Sequence, residues 1–439
     1  MKKDRVIFCF AILFTLTFYY SKAQSVQDSV SQTEKENVII SISGLLNKNY
    51  IFPDVSKKIC DILAENLKRG SYSSISDPVL FAEKLTNDLQ SISKDVHLAV
   101  SFNPQRVQEL KAPQKENNEL SASRLKEMQL NNFGFKKIEL LNGNIGYLEL
   151  ESFADARYGG ETAVAAMNFL SNASALIIDL RNNGGGNPSM TQLIASYLFT
   201  SKPVHLNTFY NKSADTSSDS WTYPFIPGKR MPNTDVYILT SSNTFSAAEE
   251  FAYDMQSLKR ATIIGETTGG GAHTGSNMVA GERFIVFIPT GRGINPITKT
   301  DWEGVGVKPD ITVPAPDALI TAQITAIERL ESESSDTNNV LFKWALTTLK
   351  AKQHPVKIDE NILKTYAGKY GHRLISYNNG DLYYQRDDAP KIKMIPLEKN
   401  LFELEGIEDF RLNFVIKENK VVAVIGLYKD GESDKSMKD

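Results

Sequence analysis

An α/β fold, preceded by a helical segment and followed by a separate all-β segment, is what this sequence predicts, and three observations predict it. Across residues 132–315, short apolar runs of strand length alternate with helix-spaced segments. From about Val38 to Leu89 apolar residues recur at helical spacing only. From Ile358 onward, short alternating runs separated by Asn-Gly and Glu-Asn turns replace both patterns.

The elements follow in order. Lys2, Lys3 and Arg5 precede an apolar run from Val6 to Tyr20, and Ser21-Lys22-Ala23 supplies small residues for cleavage. Residues 1–23 are therefore expected to be a secretory signal peptide, too short and wrongly flanked to span a membrane. Residues 24–103 form a helical subdomain: Ile39, Ile42, Leu45 and Leu46, then Ile59, Ile62, Leu63 and Leu67, then Phe81, Leu85 and Leu89 mark its apolar faces. It ends in a strand after Asp95-Val96-His97-Leu98. Residues 104–131, rich in Gln, Glu, Lys and Asn, are expected to be a polar loop or short helix.

In the α/β segment, Asn144–Leu150, Leu176–Leu180, Val236–Leu239, Thr262–Ile264 and Arg283–Ile288 are strand-like. Ser189–Phe199 and Ala247–Leu258 are helical. Residues 316–355 are a helical, polar connector, and residues 356–439 a small antiparallel β-meander or barrel.

Composition excludes several functions. Setting aside residues 1–23, with four basic side chains and one acidic, moves the net charge from −3 to −6. No basic stripe with interleaved aromatics occurs, which argues against nucleic-acid binding. Cys60 is then the one remaining cysteine, so neither an internal disulfide nor a cysteine-rich metal site can form. The five histidines show no HExxH spacing, and no metal or cofactor is expected. Neither glycine-rich stretch completes GxGxxG or GxxxxGK[ST], which leaves a nucleotide site unsupported.

Four blocks carry the chemistry. Thr244-Phe245-Ser246-Ala247-Ala248-Glu249 follows an apolar strand and opens a helix. A serine there has free N–H groups and the positive end of a helix dipole beside its hydroxyl, although an N-cap serine has the same siting. Asp179-Leu180-Arg181-Asn182-Asn183-Gly184-Gly185-Gly186 runs from a buried strand into a glycine turn, whose N–H groups suit an oxyanion hole. Gly269-Gly270-Gly271-Ala272-His273 and Asp301-Trp302-Glu303-Gly304-Val305-Gly306-Val307-Lys308-Pro309-Asp310 follow.

In this order the blocks resemble the C-terminal processing (tail-specific) serine peptidases. The nearest resemblance is to the branch containing the tricorn protease core and the interphotoreceptor retinoid-binding protein. It covers roughly Ile138 to Pro314, more weakly back to Val38, and implies a crotonase-like ββα spiral. Many tail-specific proteases insert a PDZ domain after the helical lead-in; residues 104–131 are too few for one. The lysine that serves as base in that branch has no counterpart in Gly269–Ala272.

The tricorn-like pattern instead implies His97 as general base, Glu303 as the residue that orients it and Ser246 as nucleophile. Val96 stands where tricorn has a further serine. The oxyanion hole would be the N–H of Ala247 with one from the glycine turn, Gly185 preferred. His273 is an alternative base or a substrate contact. A histidine base implies a pH–rate profile rising near pH 6 to 7. The function expected is an exported, periplasmic or secreted serine endopeptidase acting on unfolded proteins or peptides, without a membrane anchor after signal cleavage. The alternative is a non-catalytic binding module for an apolar ligand or peptide on the same fold.

Overall fold

The computed structural model describes residues 29–112, 120–212, 214–333 and 339–439; the expected signal peptide and most of the polar stretch 332–338 lie outside them. Among the described residues no helix is long and apolar enough to cross a membrane. Three helices come first: α1 (Gln32–Asn49), α2 (Pro53–Lys68) and α3 (Pro78–Ser93). Asp77 caps α3 by accepting from the N–H groups of Val79 and Leu80, and Pro78 occupies the first turn, where no N–H is needed. Strand β1 (Ala99–Phe102) follows. The stretch expected to be a polar loop or short helix holds two short helices, α4 (Pro104–Lys111) and α5 (Ala122–Leu130). Asn103 and Ser121 cap them.

The α/β segment comprises β2 (Phe135–Leu141), β3 (Ile145–Leu150), α6 (Ala156–Leu170), β4 (Ala175–Asp179), α7 (Pro188–Leu198), β5 (His205–Asn211), β6 (Thr216–Trp221) and β7 (Asp235–Thr240). It continues with α8 (Ala247–Ser257), β8 (Thr262–Gly265), β9 (His273–Val279), β10 (Phe284–Ile294) and β11 (Ile311–Thr312). A six-stranded sheet runs β11-β8-β7-β4-β3-β2, parallel except for β2.

Helices cover both faces of this sheet at β4, β7 and β8, which is why those strands are buried and largely apolar. Leu176 and Ile178 of β4 pack with α6, α7 and α8, while the intervening Ala175 and Ile177 pack against α9 (Ala318–Glu333) and α10 (Asn339–Gln353). Alternation along a strand thus divides one run between two cores.

The second sheet, β1-β10-β5-β6 with β9 also on β10, joins the N-terminal helices to the α/β segment. Val38, Ile42, Phe81 and Leu85 share one core with Phe284, Val286 and Ile288. Residues 30–102 therefore do not bury their apolar faces alone; they need β10. The C-terminal segment opens with α11 (Glu360–Tyr366) and eight strands, each antiparallel to the next, from Gly368–Tyr370 to Ser433–Met437. The Asp439 N–H donates to the Lys369 carbonyl, bringing the last strand back to the first, and Tyr366, Tyr370, Phe402 and Phe414 fill the inside.

Candidate active site

The carboxyl ends of β4, β7 and β8 lead to the Asn183–Gly186 turn, to Ser246 and to the Gly269–Gly271 turn. This is the edge at which open α/β sheets place their ligands. Short bonds bind the first two turns together. Thr244 Oγ1 donates to the Leu180 carbonyl at 2.8 Å and the Phe245 N–H to the Asn183 carbonyl at 3.0 Å. Buried Asn183 in turn ties the turn to β3 by donating to the Leu150 carbonyl at 2.8 Å.

Ser246 has φ 56° and ψ −123°, a conformation that costs a residue with a Cβ on the order of 1–3 kcal/mol and persists where surrounding structure enforces it. Gly185 is one part of that enforcement. At φ +100°, a Cβ on it would lie 2.7 Å from Ser246 Cβ, 2.8 Å from the Phe245 oxygen and 3.0 Å from the Ala247 nitrogen, so the two turns meet only because glycine is there. The Ala247 N–H opens α8 and has no intrahelical acceptor. The expected second oxyanion donor needs correction: the Gly185 N–H donates to Asn183 Oδ1 at 2.8 Å. A buried asparagine at the head of the turn satisfies that N–H itself.

Glu249 is the other enforcement, and sequence reading missed it, although Ser246-x-x-Glu249 has the spacing of a capping box. One oxygen of its buried carboxylate accepts from the N–H groups of Ser246 and Gly271, both at 2.8 Å. The other accepts from the Gly270 N–H at 2.7 Å and from Thr268 Oγ1. One side chain thereby fixes the serine and the second glycine turn together. Burial raises its pKa, against these hydrogen bonds, which pull it down.

His97 is brought in by the turn between α3 and β1. Its ring lies 4.6 Å from that of Phe245, the neighbour of Ser246, and 5.5 Å from that of Phe287. Gly271 gives it room, since a Cβ there would lie 2.5 Å from His97 Cε1. Burial pushes the imidazole down to about 4, with Asp95 pulling it up and His273 down. That differs from the value near neutrality expected of a free histidine, because the apolar wall disfavours the charged ring. Among the described residues the buried His97 Nδ1 has no hydrogen-bond partner.

Glu303 does not supply one, contrary to the expectation that it orients His97. Its Oε1 accepts from the Val96 N–H at 3.3 Å, and its Oε2 from the N–H groups of Ala272 at 2.6 Å and His273 at 3.1 Å. Trp302, anchored by Nε1–H to the Gly271 carbonyl at 3.0 Å, holds that segment in place. Of the two histidines at the site, the one whose ring has a carboxylate partner is His273. Its Nδ1 is 2.7 Å from Asp95 Oδ2 and 3.6 Å from Glu303 Oε2. Burial opposes protonation there, but Asp95, Glu303 and Asp301 outweigh it and raise the pKa. Asp95 is 1 % exposed and also accepts from Tyr50 Oη at 3.2 Å and from the His97 N–H at 3.1 Å, so it spans both histidines.

Asp95, His273 and Glu303 place one ligand atom each within 4.8 Å of one another. Tyr50, His273 and four backbone N–H groups already occupy the oxygens of Asp95 and Glu303, so the cluster is a hydrogen-bonded network and not a donor set facing an open position.

Residues 144–313 match peptidase family S41, and residues 21–132 match the N-terminal domain of peptidase S41 in eukaryotic IRBP, so the protein is a serine-type peptidase. The chain thus carries the S41 family domain together with that family's N-terminal domain. Among solved structures it is similar to a protein described as an S41 protease from Bacteroides fragilis. The identity is 20%, over 50% of this chain and 58% of that one, with a TM-score of 0.38. A protein described as a peptidase from Parabacteroides merdae is 19% identical, over 69% of this chain and 99% of that one, with a TM-score of 0.46. The photosystem II D1 C-terminal processing protease is 15% identical, over 65% and 94%, with a TM-score of 0.39.

Proposed function

We propose that this chain is an exported serine endopeptidase that hydrolyses peptide bonds in unfolded proteins or peptides, with Ser246 as nucleophile and His97 as base. Export rests on the leader character of residues 1–23. The observation that carries the catalytic reading is the enforced turn at Ser246, backed by Gly185, with the His97 ring packed on the adjacent Phe245. In this reading His97, kept neutral by burial, takes the Ser246 hydroxyl proton as Oγ attacks the substrate carbonyl carbon. The Ala247 N–H, with a donor from the Gly184–Gly186 turn, stabilises the oxyanion. Imidazolium then protonates the departing amine, and water repeats the sequence on the acyl-enzyme with the proton transfers reversed.

Glu303 acts here as a positioning residue, holding the Val96 backbone against Ala272 and His273, and Asp95 is the carboxylate that draws the base's pKa upward. One observation favours the binding-module reading instead: the unpartnered His97 Nδ1, beside a valine, leaves the imidazolium without a hydrogen-bond acceptor. Hydrolysis of fluorescent casein and of a peptide library by the chain from residue 24, beside Ser246→Ala, separates the two. A loss of at least about a thousandfold in the variant is expected. Equal rates in both proteins, or none in either, would count for the binding module.

A further inference from the structure

We infer that the cleft between α5 and the Phe153–Asp155 segment receives the substrate side chain adjoining the scissile bond, and that it selects an apolar residue. This rests on the peptidase reading of Ser246. The cleft, of about 390 Å³, is lined by Gly186 and Asn187, which follow the glycine packed on Ser246, and by Phe153, whose N–H donates to the Gly185 carbonyl at 2.8 Å. A chain lying with its reacting carbonyl over Ser246 therefore has this opening beside it.

The walls of the cleft are built. Met128, Phe133, Ala154 and Tyr158 line it. Phe133 is held by a turn in which Asn132, Phe133 and Gly134 all have positive φ, at 47°, 55° and 88°. Two non-glycine residues in succession in that region form a costly backbone, of the kind that clusters at ligand clamps. Gly159 of α6 makes the seat for Phe133, since a Cβ there would lie 2.9 Å from Phe133 Cβ. Gly186, at φ +143°, lies so close to the Phe153 carbonyl that a Cβ would be 2.0 Å from its oxygen, so this part of the cleft wall carries no side chain.

The charges around the rim are spent on each other. Asp155 is forked by Arg157, with Nη2 at 2.7 Å and Nε at 3.1 Å, and also accepts from Asn187 Nδ2 at 3.3 Å. Arg124 and Glu127 pair at 3.4 Å. Nothing in this set calls for a charged guest, whereas an apolar side chain would remove the Met128, Phe133 and Tyr158 surfaces from water.

The test uses the chain from residue 24 and an internally quenched peptide library, with Met128→Lys, Met128→Ala and Leu130→Lys as variants. Helix α5 has no buried residue, so substitutions on it leave the core intact. Cleavage by the wild type should show residues the size of leucine, methionine or phenylalanine at one position next to the cut. Met128→Lys should lower kcat/KM for these by at least about tenfold and shift preference to Asp or Glu at that position. Met128→Ala should favour larger aromatic residues there. Leu130→Lys, at a position 78% exposed, should retain the wild-type profile. Cleavage without preference beside the cut, or an unchanged profile in both Met128 variants, overturns the subsite and leaves the peptidase reading intact. Absence of any Ser246-dependent cleavage overturns both.

Discussion

Replacing Gly185 by alanine tests the site most directly, because the structure sets both the size of the effect and its control. The new Cβ would sit 2.7 Å from Ser246 Cβ, 2.8 Å from the Phe245 oxygen and 3.0 Å from the Ala247 nitrogen. Carbon atoms rest at about 3.5–4.0 Å, so the two turns must part by roughly 1 Å. A displacement of that size at a nucleophile costs on the order of a hundredfold, and loss of an oxyanion donor on the order of 10²–10³. We therefore expect kcat/KM for a peptide substrate to fall about 10²- to 10³-fold, or about 3–4 kcal/mol. The left-handed φ of +100° adds a stability cost of about 1–2 kcal/mol, a few degrees in Tm. Gly184→Ala is the control: its Cβ would meet nothing within 4 Å. That variant should stay within about 0.5 kcal/mol in stability and about threefold in rate. Steady-state kinetics and thermal melts on both proteins decide the matter. Near-normal turnover in Gly185→Ala, or equal impairment of the two variants, would show that this turn does not back the nucleophile.

Ser246→Gly should abolish hydrolysis yet raise stability by about 1 kcal/mol, since glycine relieves the positive φ more than its chain entropy costs; a lower Tm would mean the turn is not strained. With His97 pushed down to about 4, the acid limb of the kcat/KM profile should lie near pH 4 to 5. A limb above about pH 6.5 would transfer the base role to His273, whose pKa is raised. Burial pushes Glu250 up to about 8, against about 4.3 for an unfolded chain, so its share of stability is full below the lower value and is lost as pH rises through the upper. Glu250→Gln should thus match the wild type near pH 4 and exceed it at pH 9; equal urea midpoints at pH 9 would contradict this. Truncation after His354 should leave a soluble, peptide-cleaving protein. Helix α10 would keep Phe342, Ala345, Leu346 and Leu349 in the sheet core, and the barrel meets α10 through polar contacts: Arg411 stacked 3.8 Å over Trp344, Trp344 Nε1–H donating to the Glu408 carbonyl at 2.9 Å and Thr348 Oγ1 donating to Glu403 at 2.9 Å. Truncation before Asn339 should aggregate, and equal solubility of the two would place the boundary elsewhere.

Much of the layout was legible in local pattern. The strands at Ala175–Asp179 and Asp235–Thr240 and the helices at Pro188–Leu198 and Ala247–Ser257 fall within a residue or so of where apolar runs, glycine turns and N-terminal caps put them. The family was legible too, because its four blocks are contiguous words in the chain. Spacing and turn chemistry act over a few residues, and a sequence displays them directly.

What the sequence could not display are bonds between residues far apart along it. Glu303 goes to Val96, Ala272 and His273 and not to the His97 ring, and the carboxylate that meets a histidine ring within the site is Asp95, on His273. Asn183 claims the Gly185 N–H, and Glu249 clamps two turns that are separate in the chain. The value of His97 also belongs to the fold, because it depends on the rings of Phe245 and Phe287 closing around it. The sequence by itself determined which elements form and which residues can do chemistry. The tertiary structure alone decided which oxygen meets which nitrogen and how dry each site is, because hydrogen-bond choice and desolvation depend on distances in space that no spacing along a chain encodes.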